Sequence, residues 1–462
     1  MFKFVEKPQS SAIAFMGAGS FWFIIGALYG MVSAIHLVAP EFFSNIPFLV
    51  FGRSRPVHVN TMIYGFTGNM LVGCGLYYVP ALLRTRIFSE PLGWITFGLY
   101  NLTVLSGPLT FAFGWTQGRE YNEYVWWADV CFVLACLTAI YNIVMTITRR
   151  KEQQLYVSVW YFVATFLWSA CNYPISNVMW RPSVGAMDGL IDSIFLWFWG
   201  HNLPGLFATP LATGAAYYVI PRVTRTKLNS HTLSLVGFWL LVSLYTHIGG
   251  HHILQAPIPN WLKAISIVDS MAMIVPVFIV VLNIWMTARR KGDLIYKDPA
   301  GLFVMTGVVW YIITCIQGPV QALPIVQRVT HFNNWTVGHA HIAMLGFAGF
   351  IAIGAMWHIL PLASNRRLWS QRLVTLQYVL VLFGITGFFL VLTAAGLVQG
   401  AAWNQGLMII RELPARFPYM VARAVLGLFI LTGSVIGLYN FLMTLWKGEQ
   451  IPYEEGILEP IE

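Results

Sequence analysis

The chain has 462 residues, of which 57% are hydrophobic and 10% charged, with a mean hydropathy of +0.67 and a formal net charge of +9. So little charge cannot coat a water-soluble globule of this size, which excludes a soluble domain and predicts an all-α integral membrane protein. The positive excess comes without a basic-aromatic module, so it reads as membrane topology and contact with anionic lipid and excludes nucleic acid as a partner.

In chain order, apolar stretches fall near 15–38, 57–83, 92–115, 125–148, 155–178, 188–220, 230–256, 261–288, 301–323, 335–362, 373–400 and 418–446. A bilayer needs roughly 20 helical residues per crossing, so these predict about twelve transmembrane helices. Most of the 27 basic residues, among them Lys3, Lys7, Arg84, Arg149, Arg222, Arg289, Arg366 and Lys447, fall on the side of the N-terminus, the even loops and the tail. The positive-inside rule then predicts both termini in the cytoplasm. No Gly/Ser-rich or Pro-rich linker divides the chain, which predicts one integral domain over 1–462, and no fixed-period repeat is expected. The first span lacks a small-residue cleavage site and reads as a retained helix. Cys74, Cys131, Cys136, Cys171 and Cys315 are scattered and form no covalent-haem motif, so they read as small core residues.

The residues that such a bundle does not need are histidines. In Trp335-Thr-Val-Gly-His-Ala-His, His339 and His341 stand two apart, about 200° around a helix, so their rings leave opposite flanks of one rod. Ionisable groups inside a bilayer are costly enough to signal function. His58 lies near the start of a span running the same way as that of His341, which puts the two at similar depth. They can face each other as axial ligands of one haem while His339 serves a second. Two imidazoles leave no open site and suit electron transfer; one leaves a face for a gas. His251 and His252 differ by about 100° around a helix, so they converge with His201 only near a helix end or a distortion, and Gly249 and Gly250 permit one. Three neutral imidazoles suit copper, zinc or iron.

Together, Phe51-Gly-Arg-Ser-Arg-Pro-Val-His58, Trp199-Gly-His201-Asn202, Tyr245 with Gly249-Gly-His251-His252, Gln317-Gly-Pro and Asn334-Trp-Thr-Val-Gly-His339-Ala-His341 resemble subunit I of the haem-copper oxygen reductases, specifically the cbb3-type cytochrome c oxidases. The matching segments extend over most of the chain in the family's order. The resemblance implies low-spin haem b on His58 and His341, a high-spin b-type haem on His339, and copper on His201, His251 and His252. It places Tyr245 where the family carries a tyrosine covalently linked to a copper ligand and able to give an electron and a proton together. The implied reaction is reduction of oxygen to water in a bacterial inner membrane. Electrons would come from membrane-anchored c-type cytochrome subunits and protons from the cytoplasm, with proton translocation expected.

Arg53 and Arg55 are candidates for pairing with haem propionates, Glu120 for a calcium ligand, and Ser234, eleven residues before Tyr245 on nearly the same helical face, for the start of a proton route. By helical rise Tyr245 is expected about 9 Å from His251 toward the inner face. Gln317 departs from the family's glutamate and cannot exchange a proton at physiological pH. His247 and Asn334 replace an aromatic residue and an aspartate. The alternative within the superfamily is nitric oxide reductase with non-haem iron, whose extra glutamate would stand at Gly205. The alternative from another class is a cofactor-free solute or proton transporter.

Overall fold

In a computed structural model, which describes residues 7–451, thirteen helices account for nearly all of the chain and there is no sheet among the described residues. Lys3, used in the charge argument, lies outside the described residues. The long rods are α1 (Ser10–His36), α2 (51–82), α3 (Glu90–Ala112), α4 (Trp126–Thr148), α5 (Val157–Ser176), α6 (Leu190–Thr224), α7 (His231–Tyr245), α8 (Asn260–Lys297), α9 (Pro299–Gln321), α11 (Asn334–Ser364), α12 (Gln371–Asn404) and α13 (Ile409–Lys447), with the short α10 (Pro324–Thr330) between α9 and α11. Eight are long and apolar enough to cross a membrane. The others fall short of that measure: α2 carries Arg53, Arg55, Asn60 and Asn69, and α7 stops after fifteen residues. Large apolar side chains such as Phe113, Trp239, Leu390 and Trp446 are exposed on the outside of the bundle, as a lipid-facing surface requires.

The expectation of no repeat is corrected by the helix ends. Pro80, Pro221 and Pro361 each stand near the end of a rod, and each rod closes on a left-handed residue four positions later, Arg84, Arg225 or Asn365. In each case the next amide returns to the proline carbonyl at 3.1–3.2 Å. Nine residues after each proline comes a serine, Ser89, Ser230 or Ser370, whose hydroxyl caps the next helix. Each serine backbone is held by an asparagine of the following antiparallel rod, Asn142, Asn283 or Asn440. A threonine one turn on, Thr146, Thr287 or Thr444, accepts from the preceding amide at 3.0–3.1 Å. The chain therefore carries one unit three times at steps of about 140 residues. It escapes a composition search because the shared residues are confined to the turns.

The repeat also positions the site. In the three equivalent rods α2, α6 and α11, a π-helical stretch interrupts the α-helix at Thr61–Gly68, Leu203–Ala208 and Ile342–Gly349. Each begins within three residues after a histidine: His58, His201 or His341. A π-turn holds one residue more than an α-turn and so rotates the two halves of its rod relative to each other, a device concentrated at functional sites.

Candidate functional site

The predicted histidines assemble into two groups. On one flank of α11, the His341 ring lies 6.1 Å from that of His58 on α2, with the planes 22° apart. Two metal–imidazole bonds of roughly 2 Å plus the two half-rings span about that separation. The second nitrogen of each ring is already engaged: His58 Nδ1 with the Gly26 carbonyl at 2.8 Å and His341 Nδ1 with the Val337 carbonyl at 2.7 Å. Such bonds fix the tautomer and leave Nε2 as the free donor of each ring. Between them opens a mostly apolar cavity with about 910 Å³ of atom-free space, part of it open to the surroundings, walled by Met31, Met62, Met344 and Phe388. Cavity and donor set together fit a flat apolar macrocycle held by two imidazoles.

His339 leaves the other flank, as its two-residue offset requires. Its ring lies parallel to Trp335, 6.0 Å away, and its Nδ1 sits 3.3 Å from Gln317 Oε1. His201, His251 and His252 form the second group. Their donor atoms lie within 4.8 Å of one another, the one cluster of three or more metal-capable side chains among the described residues. The ring centroids of His201 and His251 are 4.4 Å apart, those of His251 and His252 also 4.4 Å. The Nε2 of His201 is buried without a hydrogen-bond partner. Its Nδ1 lies 3.0 Å from His252 Nε2, and ring nitrogens of three imidazoles converging in this way are a set of donors suited to one metal ion. Ser270 engages His251 Nδ1 at 2.7 Å, and Trp197 stacks on His252 at 3.9 Å and 9°.

The local backbone explains how neighbours in sequence converge. The stretch expected as one span near 230–256 is broken: α7 ends at Tyr245, and His251 and His252 sit on a 3₁₀ turn, Ile248–Ile253. Gly249 makes the turn possible, because a Cβ there would overlap the Trp197 carbonyl. The 9 Å separation of Tyr245 from His251 expected from helical rise does not carry over, since the intervening residues are not one helix. Instead the Tyr245 ring stacks on His201, centroids 4.6 Å and planes 14° apart. Its edge fills the space beside Gly205, where any Cβ would overlap the phenol ring.

The remaining predicted residues are placed as follows. Arg53 donates to the Ala112 carbonyl at 2.9 Å, and Arg55 forms a close ion pair with Glu120. Glu120, expected as a calcium ligand, thus stands beside a cation on α2. Ser234 is buried and donates to the His231 carbonyl at 2.6 Å. His247 pairs closely with Asp269. Several contributors escaped the sequence reading. Arg423 on α13 lines the cavity between His58 and His341, its guanidinium 5.4 Å from the Phe388 ring; an arginine inside the apolar stretch near 418–446 was the available signal. Trp197, Ser270 and Gln327 carry no local pattern that separates them from core residues.

Comparison with known proteins gives a consistent set. The family model described as "Cytochrome C and Quinol oxidase polypeptide I" matches residues 10–429. The chain is 32% identical over 451 residues to a protein named "Cytochrome c oxidase subunit 1 homolog" from Agrobacterium tumefaciens (strain T37), covering 94% of this chain and 83% of that protein. It is 27% identical to "Cbb3-type cytochrome c oxidase subunit CcoN1" of Stutzerimonas stutzeri, covering 94% of each. A nitric oxide reductase subunit of the same organism is 24% identical, covering 94% of this chain and 95% of that protein. A cryo-EM structure of a heme-copper terminal oxidase dimer superposes with a TM-score of 0.80 at 17% identity over 96% of this chain and 86% of that one, a likeness of fold.

Proposed function

The chain belongs to the family of cytochrome c and quinol oxidase polypeptide I, and from that premise we propose that it is the catalytic subunit of a cbb3-like respiratory oxidase that reduces oxygen to water in a bacterial inner membrane. His58 and His341 would hold a low-spin haem b, His339 a high-spin b-type haem, and His201, His251 and His252 a copper ion. Bound there, the haems and copper supply electron transfer and the oxygen-binding face. The protein's part is to fix and insulate them. Backbone carbonyls hold His58 and His341 with Nε2 free, and Gln317 offers an uncharged acceptor to His339. Tyr245, stacked against His201, would be the residue that gives a proton and an electron to oxygen chemistry there. Protons would arrive from the inner face past Ser234. Arg53 and Arg55 keep unused donors for haem propionates.

In this reading all twelve long rods cross the membrane, both termini lie in the cytoplasm, and residues 1–462 act as one integral domain. Membrane-anchored c-type cytochrome subunits supply the electrons, since the chain has no covalent-haem motif, and the chemistry is coupled to proton translocation.

The observation that carries the assignment of copper and oxygen is the exclusion between Gly205 and Tyr245. The alternative, nitric oxide reduction at non-haem iron, calls for a carboxylate at position 205. Here the phenol ring occupies that space. A hard carboxylate favours iron; three imidazoles alone suit copper. Metal analysis of the purified protein, with turnover assays on oxygen and on nitric oxide, tests the reading. Copper with iron and oxygen consumption are expected. Iron without copper, together with nitric oxide turnover, overturns it, and a reduced-minus-oxidised spectrum without haem bands would leave the transporter reading.

A further inference from the structure

His251 and His252 stand on a turn outside any long helix, while His339 stands on α11, so nothing in either element fixes one relative to the other. Gln327 on the short helix α10 bridges them. Its side chain is 4% exposed; Nε2 donates to the His251 carbonyl at 2.7 Å, and Oε1 accepts from Gln255 Nε2, also at 2.7 Å. Only the amide nitrogen can satisfy a carbonyl, so the orientation of the amide is determined by its partners. Gln255 follows the His-His turn by three residues, so one side chain grips both ends of that segment.

The other end of the bridge is equally tied. The Thr330 carbonyl accepts from Thr336 Oγ1 at 2.8 Å, which locks the end of α10 to the first turn of α11. Asn333 caps α11 through the Trp335 amide at 2.9 Å and donates to the Gly396 carbonyl of α12 at 3.0 Å. From Gln327 to His339 the chain is therefore held at each turn.

We propose that Gln327 is a positioning residue that locks the copper-ligand turn to the helix carrying His339, setting the register between the metal triad and the high-spin haem ligand. The inference rests on the copper reading above. Loss of an outer-shell partner of this kind typically weakens metal binding 10–100-fold. Gln327→Leu removes both hydrogen bonds at similar volume, and Gln327→Glu keeps the acceptor but loses the donor to His251.

The test is Cu(I) competition against a chelator on the purified, full-length protein, with reduced-minus-oxidised haem bands recorded on the same samples. Both Gln327 variants should bind copper about 10–100-fold more weakly with parental haem bands. Gln255→Leu, which leaves the His251 bond intact but removes the contact that orients the Gln327 amide, should lose about three- to tenfold. Copper affinity within about threefold of the parent in either Gln327 variant overturns the proposal, as does parallel loss of haem and copper, the mark of a general packing role. Should the Gln327 variants fail to fold, unchanged copper affinity in Gln255→Leu overturns it alone. If the parent binds ferrous iron and not copper, the functional reading fails while the same comparison, made with iron, still decides the role of Gln327.

Discussion

Gly205→Ala is the smallest change that probes the centre of the site. Its single added carbon overlaps the Tyr245 ring, and that ring lies against His201 with centroids 4.6 Å apart and planes 14° off parallel. The tyrosine cannot yield toward His201 without displacing a member of the histidine cluster, so the strain is passed on to the site. Overpacking of one methyl into a filled interior costs about 1–3 kcal/mol. The cost should vanish where the ring is gone. In a Tyr245→Leu background, Gly205→Ala should be close to neutral, giving a coupling of about 1–3 kcal/mol in a double-mutant cycle on detergent-solubilised protein unfolded by denaturant. Strictly additive effects would refute the packing argument. The same geometry predicts that Gly205→Glu is tolerated only beside Tyr245→Leu, where the new carboxylate reaches the three imidazoles and shifts the bound metal from copper toward iron. Metal analysis of the double variant reads this directly.

Replacing His58 by Leu should abolish the low-spin haem spectrum, because the cavity then offers one imidazole, while copper on His201, His251 and His252 remains; copper loss of equal size would contradict two separate centres. Gln317→Leu should remove the acceptor facing His339 Nδ1 at 3.3 Å and lower oxygen turnover with copper content unchanged; parental turnover would deny the contact a role. Glu123, in the turn between α3 and α4, is 4% exposed, and burial pushes its carboxyl up from the ordinary 4.5 to about 7, opposed by a hydrogen bond from Asn60. Between those values the folded state keeps a proton that the unfolded state has lost. This group's contribution therefore falls by about 1.4 kcal/mol per pH unit as pH rises from 4.5, roughly 3 kcal/mol in all, and levels off above 7. Glu123→Gln should flatten that part of a stability-against-pH curve; an unchanged slope would assign it to other groups.

The grouping of the histidines was legible because each is costly where it stands and the offsets between them are geometric. Two residues on a helix put His339 and His341 on opposite flanks whatever the rest of the chain does, and the two contact sets, Gln317 and Trp335 against His58 and Phe388, result from that rotation. The convergence of His251 with His201 was legible only as a condition, a helix end or a distortion. The stop at Tyr245 was marked only by the break in the apolar run at Thr246, His247, Gly249 and Gly250, since apolar residues resume at Ile253 and Leu254. The illegible part depends on partners far away in sequence. Glu120 looked like a free outward carboxylate because its partner, Arg55, lies 65 residues earlier; Gln327 is separated from His251 by 76.

The threefold repeat explains why these long-range partners nevertheless meet. Equivalent rods α2, α6 and α11 each present a histidine just before a π-turn, so His58, His201 and His341 stand at corresponding places in the three units. Serine, asparagine and threonine at the turns recur because they clamp the rods together at one end of the bundle, where backbone groups left free by the helix ends must be satisfied in an apolar surrounding. The histidines recur for a different reason, since nothing in helix packing needs them. The units differ in the ring that joins each ligand: a second histidine at His339 in the third, a tyrosine and a histidine pair reaching His201 in the second, and neither in the first. A fold with three equivalent corners thus becomes a site with unequal centres, one closed by two imidazoles and one open between His339 and the triad. Under the proposed function that inequality, rather than the fold, would separate electron transfer from oxygen chemistry.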